Sequence, residues 1–202
     1  FFGLDFLVSP AVLIPRPETE LLVEHAVQWL RQNPGRRLAA DVGTGSGCIA
    51  ISIANQIPDL TVLASDYSDA ALRIARANVS RYRLDHRIHL VQADLMTAAA
   101  GSFDLVCANL PYIPTSTLEH LQVSRYEPRL ALDGGSEGLD FIQKLLFDAV
   151  AKLAPGALFL LEIETRQADA VIRLARLSYP SAEATVIPDL AGIPRLLRIK
   201  LQ

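Results

Sequence analysis

Basic charge is the first thing this chain is short of. Its 19 lysines and arginines stand against 22 acidic residues, for a net charge of −3 and an isoelectric point near 5.8. Proteins that hold nucleic acid through the phosphate backbone carry a concentrated basic face. Direct nucleic-acid binding is therefore not expected, and Arg73, Arg76, Arg81, Arg83 and Arg87 read as a solvated helix face. Cysteine is nearly missing. Cys48 and Cys107 match no metal or redox spacing, and both sit in apolar company, as reduced residues of a cytoplasmic protein would. The four histidines, His25, His86, His89 and His120, form no ligand pattern, so no metal is expected. No apolar run approaches ~18 residues, which leaves no candidate membrane span. A signal peptide is also lacking, and the chain opens on Phe1 rather than Met, so a segment upstream is expected.

What is present is apolar. Half of the 202 residues are hydrophobic, enough to bury a full core as one domain, and a monomer is expected. Strand-like runs alternate with helical patterns, the signature of a parallel sheet with crossover helices. The opening residues, 2–8, alternate like a strand or hairpin arm. Pro17 suits a first helical position, with Glu18 and Glu20 in the positive first turn of a helix reaching about residue 31. Residues 1–35 thus read as a hairpin arm and helix leading into a domain over 36–202. Strands are expected at 37–42, 61–65, 88–92, up to 108, and at 156–163, 182–187 and 195–201. Helices are expected at 47–56, 68–81, 139–153 and 166–177, and the last two strands form an antiparallel pair. Residues 113–138 show no periodicity, which in a stretch of that length usually marks a functional or mobile segment.

Two turns carry chemistry. The first is Asp41-Val42-Gly43-Thr44-Gly45-Ser46-Gly47, between the first core strand and its helix. Its glycines let the backbone approach a ligand, and the helix N-terminus behind them presents free amide hydrogens. Open α/β sheets bind ligands at this end of their strands. Dinucleotide enzymes use a related turn, but they place an apolar residue before the first glycine and want a third glycine where this chain has Cys48. Asp41 is instead suited to the ammonium of a methionyl group, which favours S-adenosylmethionine. Asp66, followed by Tyr67, ends the second strand and suits a ribose diol; NAD would be served equally by it. Asp94 and Leu95 end the third, where an adenine edge and face can be met, or where Asp94 simply caps a turn.

The second turn is Asn109-Leu110-Pro111-Tyr112, after the apolar strand ending at Ala108. An asparagine amide and a backbone carbonyl can accept the two hydrogens of a planar –NH2 group while an aromatic ring packs on its face. Opposite a methyl donor, such a turn methylates an amide or an exocyclic amine.

Together these segments resemble the peptide chain release factor glutamine N5-methyltransferases. The resemblance runs over almost the whole chain: residues 13–20 (Leu-Ile-Pro-Arg-Pro-Glu-Thr-Glu), the glycine turn, the Asn109 turn, Tyr126-Glu127-Pro128, residues 130–135, Gly138-Leu139, Glu162 with Gln167, and Asp189, Gly192 and Arg195. It implies a Rossmann-like class I S-adenosylmethionine-dependent methyltransferase fold, with a seven-stranded, mostly parallel sheet and an antiparallel C-terminal strand. It implies S-adenosylmethionine as donor, S-adenosylhomocysteine as product, and the glutamine of a release factor's Gly-Gly-Gln tip as acceptor. Asn109, Leu110, Pro111 and Tyr112 would be catalytic. Asp41, Gly43, Thr44, Gly45, Ser46, Gly47, Asp66, Tyr67, Asp94, Leu95 and Asn109 would hold the donor. The family's N-terminal helical domain, which helps grip the release factor, has no counterpart in these residues.

Three positions depart from the family: Leu110 replaces a proline, Leu95 stands where some relatives carry an aromatic ring, and Glu164 takes a place often held by glycine. At residue 110 the working group is a backbone carbonyl, which Leu supplies as well as Pro, and Pro111 keeps Leu110 extended. Arg16 and Pro17 cover the donor, line an acceptor channel, or simply serve helix entry. Glu127 either meets the substrate loop or anchors a long connection by pairing with Arg125 or Arg129. Two other functions share these motifs, an adenine-N6 methyltransferase acting on a flipped base of RNA or DNA and a non-catalytic S-adenosylmethionine-binding module.

Overall fold

The computed structural model describes residues 1–123 and 125–202. Seven strands form one sheet in the order β3-β2-β1-β4-β5-β7-β6. They are β1 (Leu38–Val42), β2 (Thr61–Asp66), β3 (Ile88–Gln92), β4 (Phe103–Ala108), β5 (Leu153–Glu162), β6 (Glu183–Pro188) and β7 (Pro194–Lys200). The first five run parallel, and β7 lies antiparallel to both β5 and β6. The helices are α1 (Glu20–Gln32), α2 (Cys48–Gln56), α3 (Asp69–Arg81), α4 (Thr115–Leu118), α5 (Asp140–Asp148) and α6 (Ala168–Ser178).

Alternation along the central strands sorts side chains into two cores. Leu105 and Cys107 of β4 pack with α1 and α2, whereas Val106 and Ala108 pack with α5 and α6; Phe103, ahead of a register shift at Phe103/Leu105, joins the second group. A sheet covered on both faces buries its central strands almost throughout, and β1 and β4 are apolar but for Asp41 and Asp104. The strand order reverses between β1 and β4. Their register partners Val42 and Ala108 are the last residues of each strand, so the two chemistry-bearing turns leave the sheet side by side.

The expected hairpin arm at residues 2–8 is not a strand. Its polar backbone groups are taken by side chains of α3 and its flank instead of a neighbouring strand. Leu7 N–H donates to Asn78 Oδ1 at 2.8 Å, Asn78 Nδ2 donates to the Leu7 carbonyl at 2.9 Å, and the Tyr82 hydroxyl exchanges two 2.8 Å bonds with the Asp5 backbone. Phe6 completes the seal against Tyr82. The segment is a strap laid across α3. The helix expected at 139–153 stops at Asp148, and β5 begins at Leu153, three residues earlier than the apolar run suggested.

Candidate active site

The loop after β1 is held from beneath. Gly43, Gly45 and Gly47 have φ of 73°, 55° and 83°, in the left-handed region where only glycine is unstrained. Gly43 also lies close to the second turn, since a Cβ there would come within 2.9 Å of the Leu110 Cδ2 tip. The Gly43 and Thr44 N–H groups both donate to the Ser65 carbonyl at 2.9 Å. Asp41 lies under the loop, where Thr44 Oγ1 (2.6 Å) and Ala50 N–H (3.1 Å) donate to its Oδ2. Its Oδ1 is buried and has no partner among the described residues. Burial pushes the carboxyl up to about 6, against the pull of those two hydrogen bonds.

Asp66 closes the loop from the β2 side. It accepts from Gly45 N–H and from Ser68 N–H, each at 2.8 Å, so one carboxylate braces both the glycine turn and the start of α3. Burial raises its pKa while those backbone bonds lower it. Asp94 faces Lys144 in an ion pair. Leu95 adopts φ 52°, an uncommon conformation for leucine, and Ser65 Oγ fixes it by donating to the Leu95 carbonyl at 2.9 Å.

These parts border a cleft of about 270 Å³. Gly43 to Ser46, Asp66, Tyr67, Asp94 and Leu95 line it on one side, Thr19, Asn109, Leu110 and Pro111 on another, and Ala11, Val12, Leu13, Pro15, Arg16, Pro128, Leu130 and Ala131 contribute to its roof. Asp41, Gly47, Pro17, Tyr112 and Glu127 do not line it. Asp41 and Gly47 act through the loop they shape, and Pro17 opens the 3-10 turn Pro17–Thr19 that precedes α1. Cys48 lines the cleft too, but burial pushes its thiol up to about 12, which excludes a thiolate nucleophile.

Arg16 and Glu127 join the two halves of the roof, with Arg16 Nη2 2.6 Å from Glu127 Oε1. The expected pairing of Glu127 with Arg125 or Arg129 is thereby corrected: Arg129 is taken by Asp133, four residues along, at 2.9 Å. The Glu127 side chain is almost fully buried, and among the described residues its Oε2 has no partner.

The Asn109 turn is anchored through side chains that sequence reasoning left without a role. Asn109 Nδ2 donates to Thr19 Oγ1 at 3.0 Å, and Thr19 Oγ1 donates to Glu162 Oε2 at 2.5 Å. The Tyr112 hydroxyl donates to Glu162 Oε1 at 3.3 Å, which turns the phenol away from the cleft. Burial raises the Glu162 pKa, opposed by the bonds from Thr19 and Tyr112. Gln167 Nε2 donates to the carbonyls of Tyr112 (3.0 Å), Gly138 (3.0 Å) and Glu137 (3.3 Å). Among the described residues no donor reaches Asn109 Oδ1 or the Leu110 carbonyl, so two acceptors remain unengaged on a turn that lines the cleft. Thr19 was findable only as a polar residue in the 13–20 segment, since nothing local marks it as facing residue 109.

A glycine cradle, a buried carboxylate oxygen without a partner and an acidic strand end suit a ligand carrying an ammonium and a ribose, such as S-adenosylmethionine. Residues 17–124 match the methyltransferase small domain. The chain is 41% identical to a release factor glutamine methyltransferase of Gloeobacter violaceus, over 96% of this chain and 68% of that protein. It is 45% identical to the release factor glutamine methyltransferase of Moorella thermoacetica, over 96% of this chain and 69% of that one. In fold it is similar to the N-terminal domain of human METTL16 in complex with SAH, with a TM-score of 0.68 at 21% identity, covering 100% of this chain and 77% of the other.

Proposed function

Since the chain belongs to the release factor glutamine methyltransferase family, we propose that it methylates the side-chain amide nitrogen (N5) of the glutamine in the Gly-Gly-Gln tip of a release factor, in the cytoplasm and as a monomer. The donor is S-adenosylmethionine, which supplies an electrophilic sulfonium methyl. The Gly43–Ser46 backbone and Asp66 hold it, Asp94 and Leu95 flank its base, and the partnerless Asp41 Oδ1 gives its ammonium a counter-charge through the loop.

The observation that carries the reading is the pair of unengaged acceptors on one turn, Asn109 Oδ1 and the Leu110 carbonyl. An amide nitrogen is a poor nucleophile because its lone pair is delocalised into the carbonyl. Two acceptors that take both N–H hydrogens hold the –NH2 plane and raise the electron density available at nitrogen. As the S–CH3 bond breaks to leave the thioether, the new N–CH3 bond makes the amide cationic; that cation is strongly acidic and loses one of its N–H protons to solvent, so no strong base is needed. Leu110 keeps the second acceptor, and its buried side chain fills the space beside Gly43. Tyr112 supports the turn through Glu162, and Arg16 with Glu127 borders the acceptor's entry.

The test is intact-mass analysis of a release factor incubated with the protein and S-adenosylmethionine. The expected result is a gain of one methyl that disappears when the tip glutamine is changed to alanine. Ribosomal RNA and duplex DNA form parallel arms. Methyl transfer to either of those, with an unmodified release factor, would overturn the assignment in favour of an adenine-N6 enzyme. Donor binding with no transfer to any arm would favour a binding module.

A further inference from the structure

The amide of Asn109 hangs at the end of a buried hydrogen-bond chain whose direction is set by chemistry. Glu162, 4% exposed at the end of β5, accepts through both carboxylate oxygens, Oε1 from the Tyr112 hydroxyl and Oε2 from Thr19. Thr19, 2% exposed, has a single hydroxyl hydrogen and gives it to Glu162 Oε2. Its oxygen can then offer Asn109 only a lone pair, and Asn109 must meet it with Nδ2. The opposite orientation would set a carbonyl oxygen against a lone pair and turn an –NH2 group into the cleft. An –NH2 there would welcome a carboxylate, whereas Oδ1 requires a donor.

We propose that Thr19 and Glu162 are positioning residues that set the polarity of the acceptor pocket and so its choice of an –NH2 acceptor over a carboxylate. The selection of glutamine over glutamate is then made behind the Asn109 amide, at Thr19 on the cleft wall and at Glu162 two hydrogen bonds back. Glu162 also takes the Tyr112 hydroxyl, so both ends of the acceptor turn hang on one carboxylate. This inference rests on the glutamine-amide reading of the same site.

Thr19→Val keeps the shape of the side chain and removes the lone pair, while Thr19→Ser keeps the hydroxyl. With a release factor as acceptor, T19V is expected to lower kcat by about tenfold or more, the loss of one fixed hydrogen bond. KM for the release factor and calorimetric affinity for S-adenosylmethionine should stay within about twofold, and T19S should recover kcat to about the same margin. Spectroscopy gives a readout independent of turnover. In the 15N-labelled protein without donor, one Asn109 side-chain proton should exchange slowly, and T19V should abolish that protection. Wild-type kcat in T19V, a T19S variant as impaired as T19V, or fast exchange of both Asn109 protons in the wild type would each overturn the proposal. Should T19V fail to fold, T19S and the wild-type spectrum decide alone. If the wild-type protein does not methylate a release factor, the reading of the site fails, while the exchange measurement still judges the hydrogen-bond chain.

Discussion

A buried carboxylate with one bare oxygen is a standing cost to the folded protein, and Asp41 is that carboxylate. Its folded-state pKa is raised from 3.8 to about 6. A group shifted upward favours folding while it is protonated, so its contribution is full below the unfolded value and is lost as pH rises through the folded one. For Asp41 that window lies between roughly pH 4 and pH 6, and the loss is on the order of 3 kcal/mol. Asp41→Asn removes the titration. In urea unfolding of the donor-free protein, stability of the variant minus that of the wild type should grow in the variant's favour across this window and level off above it. A difference that does not change with pH would mean that Asp41 does not titrate as its burial dictates. In the proposed function the same charge attracts the donor's ammonium, which explains why a destabilising group stands there. At this scale the legible residues were those whose chemistry is local. The acceptor atoms of the Asn109 turn followed from residue type, whereas Thr19 and Glu162 meet that turn across 90 and 50 residues of chain, a separation no local pattern encodes.

The segment from residue 113 to 138, which offered no periodicity, is tied to the acceptor turn by backbone contacts. Ile113 and Asp133 form an isolated parallel bridge, Gly134 N–H donates to the Ile113 carbonyl at 2.8 Å, and Gln167 gathers the carbonyls of Tyr112, Glu137 and Gly138. Such contacts need neither a hydrophobic stripe nor alternation, so the sequence could not show them. The strap at residues 1–8 failed in the opposite direction: it alternates like a strand, yet side chains satisfy its backbone. Helices and core strands were legible because their order rests on repeating apolar positions. Gly138 is where the long segment touches the turn most closely. Its φ is 74°, and a Cβ would stand 2.1 Å from the Tyr112 carbonyl oxygen and 2.7 Å from Gln167 Nε2. Backbone cannot step aside as a side-chain tip can. Gly138→Ala should cost about 3 kcal/mol or more by denaturant unfolding and depress methyl transfer, because the turn that carries Asn109 must shift. Gly35→Ala is the matched control, since nothing lies within 4 Å of its Cβ position. Equal stability losses in the two variants would refute the argument.

Across the whole molecule, the reversal of strand order between β1 and β4 brings the donor loop and the acceptor turn together, and the α/β alternation announced that much. The cleft's roof was announced only in part: covering the donor was one of the readings open for Arg16, whereas its junction with Glu127 joins the chain's first residues to the long segment after β4, a contact no local pattern encodes. Asn78 links the roof to the floor. Fully buried in α3, it accepts from Leu7 N–H and donates to the carbonyls of Leu7 and of Ser46, the latter at 2.8 Å. One side chain thereby holds the strap, whose continuation at residues 11–16 lines the cleft, and the glycine loop that the donor is proposed to meet. Asn78→Ala leaves three backbone groups without partners, which should lower stability by about 3 kcal/mol. The effect should also be spatially selective. Hydrogen exchange at the Leu7 amide should accelerate towards that of an open chain, and calorimetric affinity for S-adenosylmethionine should weaken about tenfold or more, since roof and loop would no longer be held against one helix. The β6–β7 pair, on the far edge of the sheet, should exchange as in the wild type. Were Leu7 still protected and donor affinity unchanged, the strap would be docked by its other contacts, among them the Phe6 ring and the Asp5 backbone on Tyr82, and the cleft would not depend on Asn78.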